Sequence, residues 1–228
     1  MRREGCALGV IALAVCVFAS PATGTGSPTG DPATIVFYKR VVSAYHNVPA
    51  VMFTVRGNFW YTVSGNAFSF YDGIEHPSNV RAATESILTL LNGGLVTKMV
   101  VTARSPGLPS LTIIQDSTGT WAALQNHPGA CFYRQAAQTI GATVHKPFIQ
   151  LFGKFSPLHN QGSHTLVTST FPWGKTATAT EVDTIADASH ILVFSHYTVS
   201  GPGAHTFTIT YRKLSSAPRL VLAPEPHC

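Results

Sequence analysis

Ten acidic side chains in 228 residues leave few places where two carboxyls can act together. Glu181 and Asp183 stand two apart in "TATATEVDT", so a strand would put both on one face, and Asp72 and Glu75 fall within one turn. Paired acids are what glycoside hydrolysis needs, one to donate a proton and one to act as nucleophile or base. A solvated strand face and an ordinary turn carry the same residues, and nothing in the pattern separates the two readings. The ten histidines raise a metal question. His159 and His164 are five apart near a loop, and His190 and His196 share a strand face. Six residues at about 3.3 Å each put about 20 Å between that second pair, too far for one ion. His205 on a neighbouring strand would make at most a two-histidine site without a carboxylate, so scattered surface histidines are the better account. There is no Gly-x-Ser-x-Gly elbow, His-Glu-x-x-His helix, Cys-x-x-Cys pair or phosphate-cradling glycine loop, and Ser200 in "VSGPG" reads as turn chemistry. The expectation is a protein with no catalytic residues, no metal and no cofactor.

Where the chain is sent decides what its cysteines do. The opening "MRREGCALGVIALAVCVFASPATGTG" has Arg2 and Arg3, an apolar run from Cys6 to Ala19 and then small residues, the pattern of a secretory signal peptide. Residues 1–22 read as a cleaved leader, the apolar run being shorter than the ~20 residues of a membrane span. A retained anchor is the alternative. "LAVC" at Cys16 also resembles a lipoprotein box, in which that cysteine would carry lipid, but bulky Val15 and the apolar continuation "VFA" favour the leader. Export to the periplasm, the cell envelope or the medium is thus expected. Cleavage removes Cys6 and Cys16 and leaves Cys131 and Cys228, which have one intramolecular pairing in an oxidising compartment. A Cys131–Cys228 disulfide would staple the tail to the domain and contribute about 2–5 kcal/mol. A terminal thiol kept free for a partner is the competing reading.

Residues 23–32, "TGTGSPTGDP", read as a flexible linker, and 33–228 as one domain. Charged residues are 11% of the chain, against about 25% in an average soluble protein. The net charge of +5 falls to +4 when Arg2, Arg3 and Glu4 leave with the leader. No Lys/Arg cluster accompanies it, which excludes nucleic acid as the expected partner and leaves room for weak contact with a membrane surface.

The spacing of Ile35, Tyr38, Val41, Val42 and Tyr45 predicts a leading helix, after which β signals dominate. "AVMFTVRGNFWYTV" and "NAFSFYDG" read as strands turning near "SGN"; "NGG" and "STG" punctuate two further hairpins. Phe148, Leu151, Phe152 and Phe155 form one helical stripe in "KPFIQLFGKFS" and predict an inserted helix. Four strands close the chain. In the last of them Phe207, Ile209 and Tyr211 alternate with threonines, while "SHILVFSHYTV" is apolar on both faces and is expected mid-sheet with both sides covered. The fold class expected is mainly β with a few helices (α+β): a curved antiparallel half-barrel of about ten to eleven strands, its concave face covered by helices.

The order of parts resembles one family. A helix ending "SAYHNVPAVMFTV", the aromatic strand "GNFWYT", the hairpin "QDSTGTWAALQNHPGACFYR" and the closing strand "TFTITYRKLSSAPRL" are similar to the LolA-like lipoprotein-carrier superfamily, whose mycobacterial cell-envelope relatives carry lipids. "DSTGTWAAL" resembles the family's Asp-Gly-x-x-x-Trp hairpin, with Ser117 and Thr118 inserted between Asp116 and Gly119. The resemblance implies a half-barrel with helices as a lid over an apolar cavity. It also implies an exported, non-enzymatic carrier or sensor of a lipid, an acyl chain or another amphiphile. The cavity lining expected is Phe53, Phe59, Tyr61, Phe68, Phe70, Trp121, Phe132, Phe207 and Tyr211, with Phe148 and Phe152 as lid. The alternative is a secreted structural or interaction module whose core fills the same face.

Overall fold

The computed structural model describes residues 27–57, 59–64, 67–72, 84–125, 133–135, 144–173, 176–201 and 204–218. Helix α1 (Pro32–Ala44) begins where Asp31 caps it, its carboxylate accepting from the Thr34 amide and the Thr34 hydroxyl, both at 2.7 Å. Pro32 occupies the first turn, where its missing N–H is not needed. Thr34, Tyr38 and Val41 are buried on one face of α1, and Tyr45 continues that stripe in the 3-10 turn Tyr45–Asn47. The helix therefore lies down along the stripe its spacing predicts.

The strands are β1 (Thr29–Gly30), β2 (Ala50–Gly57), β3 (Phe59–Ser64), β4 (Ala67–Asp72), β5 (Thr84–Asn92), β6 (Leu95–Arg104), β7 (Ser110–Asp116) and β8 (Gly119–Gln125). They continue as β9 (Tyr133–Gln135), β10 (Lys154–Phe155), β11 (His159–Gln161), β12 (His164–Trp173), β13 (Ala177–Ala186), β14 (Ile191–Ser200) and β15 (His205–Leu214). Thirteen of them form one open sheet in the order β1-β10-β12-β13-β14-β15-β2-β5-β6-β7-β8-β9, with β11 beside β12; β3 and β4 pair as a separate hairpin. Apart from the parallel β1/β10 pair, every ladder is antiparallel. The chain is thus mostly β, an open half-barrel with a single helix among the described residues.

Three expectations are corrected. The inserted helix is absent: residues 144–156 run as a strap whose backbone bonds to the sheet, His145 N to Val96 O, Val96 N to Lys146 O, Phe148 N to Gly94 O and Ser156 N to Thr168 O. Pro147 bridges to Leu95, and Gly153 at φ +91° sits where a Cβ would meet Thr170 O at 2.9 Å, so neither neighbour of the aromatic stripe lets it wind. Among the described residues, the concave face is consequently covered by one helix and an extended strap. Second, β14 lies mid-sheet, but only one of its faces is covered. A bulge skips Val193, pairing Thr184 with Phe194 and Ile185 with Leu192. That shift puts Leu192, Ser195, Tyr197 and Val199 on one buried face and leaves Val193 exposed. Burial on both faces belongs instead to β7, where Leu111, Thr112, Ile113, Ile114 and Gln115 are all buried. Third, Thr29 and Gly30, within the stretch read as a linker, pair with Lys154 and Phe155.

The face that carries α1 and the strap is the inner one. One row crosses it over eight strands, Val167–Asp183–Ser195–Ile209–Val55–Glu85–Ala103–Leu111, and a second runs Tyr211–Phe53–Ile87–Val101–Ile113. On the outer face, Thr170, Thr180, Thr198 and Thr206 align across four strands, which explains how so few charges keep that face wet.

Candidate functional site

Beneath α1 the inner face is not wholly apolar. Antiparallel register sets Glu181 opposite Tyr197 on β14 and Ser169 on β12, and sets Asp183 opposite Ser195. Tyr38 descends from the buried stripe of α1 and donates to Asp183 Oδ2 at 2.7 Å. Ser195 donates to Asp183 Oδ1 and Tyr197 to Glu181 Oε1, both by short contacts. Tyr211 Oη lies 3.3 Å from Ser195 Oγ. The two carboxyls are neighbours two residues apart on one strand face and act on each other electrostatically, and Ser169 faces Glu181 from β12. Asp183 is 1% exposed, and Glu181 is partly buried.

Burial raises Glu181 well above the ordinary carboxylate range, and the charge of Asp183 adds to the effect, against the opposing bonds from Tyr197 and Ser169. Asp183 is raised too, by burial, though the donors Ser195, Tyr38 and Glu181 favour its charged form. Burial and mutual repulsion thus act together against charging both carboxyls at once. Burial and then the charge of Asp183 raise Tyr38 and Tyr211, and burial and then Glu181 raise Tyr197, so all three stay hydroxyl donors. A glycosidase needs about 5 Å or more between its carboxyls to admit the bond being cut. Here the protein's own hydroxyls, from Tyr38, Ser195 and Tyr197, occupy both carboxyls, so the pair is not laid open for that chemistry. Nor is it the solvated strand face expected of "TEVDT".

The expected lining divides by place. Phe53, Phe148 and Tyr211 come together with Tyr45: ring centroids are 5.1 Å apart for Tyr45–Phe148, 6.2 Å for Phe53–Phe148 and 5.9 Å for Phe53–Tyr211. Phe207 stands further along the same face, stacked on Tyr197 at 4.4 Å. It has no room to retreat, because a Cβ on Gly57 opposite would lie 2.6 Å from the Phe207 Cβ. Phe152 packs edge-on to Phe171 at 4.8 Å. Trp121 is not with them: its row is Met52–Leu88–Val100–Ile114–Trp121, the opposite face from Phe53. Tyr61 pairs with Phe70 in the β3/β4 hairpin, as Val63 does with Phe68, and Phe59 opposes Asp72. The side chains of that hairpin, Phe132, the Cys131–Cys228 pairing and the leader lie outside the described residues.

His190 is not on the face of β14. It precedes the strand, at φ +54° in the turn after β13, with its ring 5.4 Å from Phe37 of α1. His196 is on the outer row with Val182 and Thr208, whereas His205 stacks on Phe207 on the inner one. The three do not converge. Sequence reading missed Tyr38, Ser195 and Tyr197 as partners of the acids, and missed Glu85, a carboxylate 1% exposed in the same inner row as Asp183. The available signal was a carboxylate in step with the inward residues of its own strand, Glu85 two before Ile87 and four before Thr89 in "TESILTLLN".

No helix among the described residues is long and apolar enough to cross a membrane. No protein-family model matches the chain, and no curated protein matches it. Among solved structures, the Pseudomonas aeruginosa MucA/MucB complex is similar over 82% of this chain and 59% of that one, at 9% identity and a TM-score of 0.37. The chain thus spans less than two thirds of that neighbour, and a likeness of this size carries no argument about fold or function.

Proposed function

We propose that the protein is an exported, non-enzymatic carrier or sensor that holds a lipid, an acyl chain or another amphiphile against the inner face of its half-barrel. The observation that supports this reading most is how slight the cover of that broad apolar face is among the described residues. Apolar side chains run across it from β15 to β7, through Phe53, Ile87, Val101 and Ile113, beneath one 13-residue helix and a strap without helical structure. A cover of that kind parts from the sheet more easily than a packed helical layer, and each acyl methylene taken up would contribute about 0.8 kcal/mol without any catalytic group. Phe148 and Phe152, on the strap, are the side chains a ligand would displace. The leader-like opening and the LolA-like hairpin "DSTGTWAAL" support the same reading.

A second reading, an envelope interaction module with a self-filled core, is favoured by the closed ring contacts of Tyr45, Phe148, Phe53 and Tyr211. Native mass spectrometry of the gently extracted protein separates the two. Co-purified acyl species support the carrier; a clean apoprotein mass that stays clean after incubation with fatty acid supports the module.

A further inference from the structure

We propose that the Glu181–Asp183 pair is a pH-sensitive latch that fastens α1 to the sheet, closed while the two carboxyls share a proton and open once that proton is lost. This is independent of any ligand on the inner face.

The geometry carries it. Among the described residues, three side-chain hydrogen bonds tie the buried stripe of α1 and its final turn to the rest of the fold: the Thr34 hydroxyl, its one proton shared with Asp31, lies 2.8 Å from Ser156 O, Tyr38 donates to Asp183 at 2.7 Å, and the Tyr45 hydroxyl accepts from the Leu192 amide at 3.2 Å. The first and third end on backbone groups, which do not titrate. Of the three, the middle one ends on a carboxylate, and that carboxylate has a second as its neighbour on the same face of β13.

Two neighbouring carboxyls, one buried and one partly so, resist being charged together unless a cation joins them. The elements around the pair supply none among the described residues. From α1 comes Tyr38 and from the turn after it Tyr45; from β12, Ser169; from β14, Ser195 and Tyr197; from β15, Tyr211; and from the strap, Phe155, whose ring is 5.4 Å from that of Tyr38. His205 shares the inner face of β15, but it lies against Phe207 and Trp173 instead of the acids. Every partner is a hydroxyl donor or an apolar ring. When the shared proton leaves, two negative charges face each other in a closed space, and the movable wall of that space is α1. The sheet side is fixed by its ladders; the helix has only its packing and two backbone-directed bonds left. The sign is set by which form the fold prefers. The folded chain keeps a proton that the unfolded chain gives up in the ordinary carboxylate range, so the latch is closed in acid and opens as pH rises.

Hydrogen–deuterium exchange of the full chain, read as protection of residues 32–44 relative to β13 and β14 and corrected for intrinsic rates, tests the latch between pH 5 and pH 9. Wild type is expected to lose α1 protection as pH rises, by up to about tenfold per unit, the limit for one proton, while the strands hold. Glu181→Gln keeps a neutral donor beside Asp183 and should flatten that profile. Tyr38→Phe removes the bond from the helix side and should lower α1 protection at pH 5 toward its pH 9 level. A flat wild-type profile overturns the latch, as does a Glu181→Gln profile that falls like wild type. If Glu181→Gln does not fold, a Tyr38→Phe profile as steep as wild type also overturns it.

Discussion

Glu181 is where a single proton matters most. Its folded form is raised above the ordinary carboxylate range by burial and by Asp183, so the folded chain retains a proton over an interval in which the unfolded chain has lost it. Stability is full below the unfolded value near pH 4 and declines as pH climbs through the folded one. Asp31 acts on the opposite limb: bonds from Thr34 lower it, so its contribution is lost only as pH falls. Glu181→Gln should therefore abolish the alkaline decline in Tm and leave the acid decline in place; a variant whose Tm drops between pH 6 and 9 as steeply as wild type contradicts the assignment. Gly57 sets a different limit. Ala there would drive a methyl into Phe207 and, through it, into Tyr197; overpacking of this kind costs about 1–3 kcal/mol. Denaturant unfolding of Gly57→Ala with an unchanged midpoint would refute the close approach.

At the scale of elements, the strap decides how the inner face is closed. Phe148 is fully buried between Tyr45 and Phe53, so Phe148→Ala should cost about 3–5 kcal/mol, measurable by chemical denaturation, and a loss under 1 kcal/mol would mean the strap is not seated as described. The same element shows what periodicity conceals. Phe148, Leu151, Phe152 and Phe155 have helical spacing, yet Pro147 and the left-handed Gly153 hold the chain extended, and the bonds that keep it so come from Val96, Gly94 and Thr168, far away in sequence. Turn chemistry was local and therefore legible: "NGG" joins β5 to β6 and "STG" joins β7 to β8, as read. The alternation of β15 was also legible, because Phe207, Ile209 and Tyr211 face a single core. β14 was not, because the bulge at Val193 inverts its parity midway. For the carboxyls, period two put Glu181 and Asp183 on one face but could not say which. That depends on Tyr38, Ser195 and Tyr197, residues whose meeting is a product of the whole topology.

For the whole molecule, the open thirteen-strand sheet leaves one broad inner face and one lean cover. From β12 to β15 its outer face carries threonine ranks instead of charges, and there the apolar area lies on the inner face. If that face is a binding surface, the strap and the ligand compete for it, and the carboxyl latch holds the helix end of the cover while they do. Titrating the mature protein with a fluorescent long-chain fatty acid tests this most directly. The account predicts saturable uptake near one acyl chain per protein, strengthened when Phe148→Ala vacates the place the chain would take. No uptake by either protein would contradict it and leave a sheet whose inner face is filled by its own side chains.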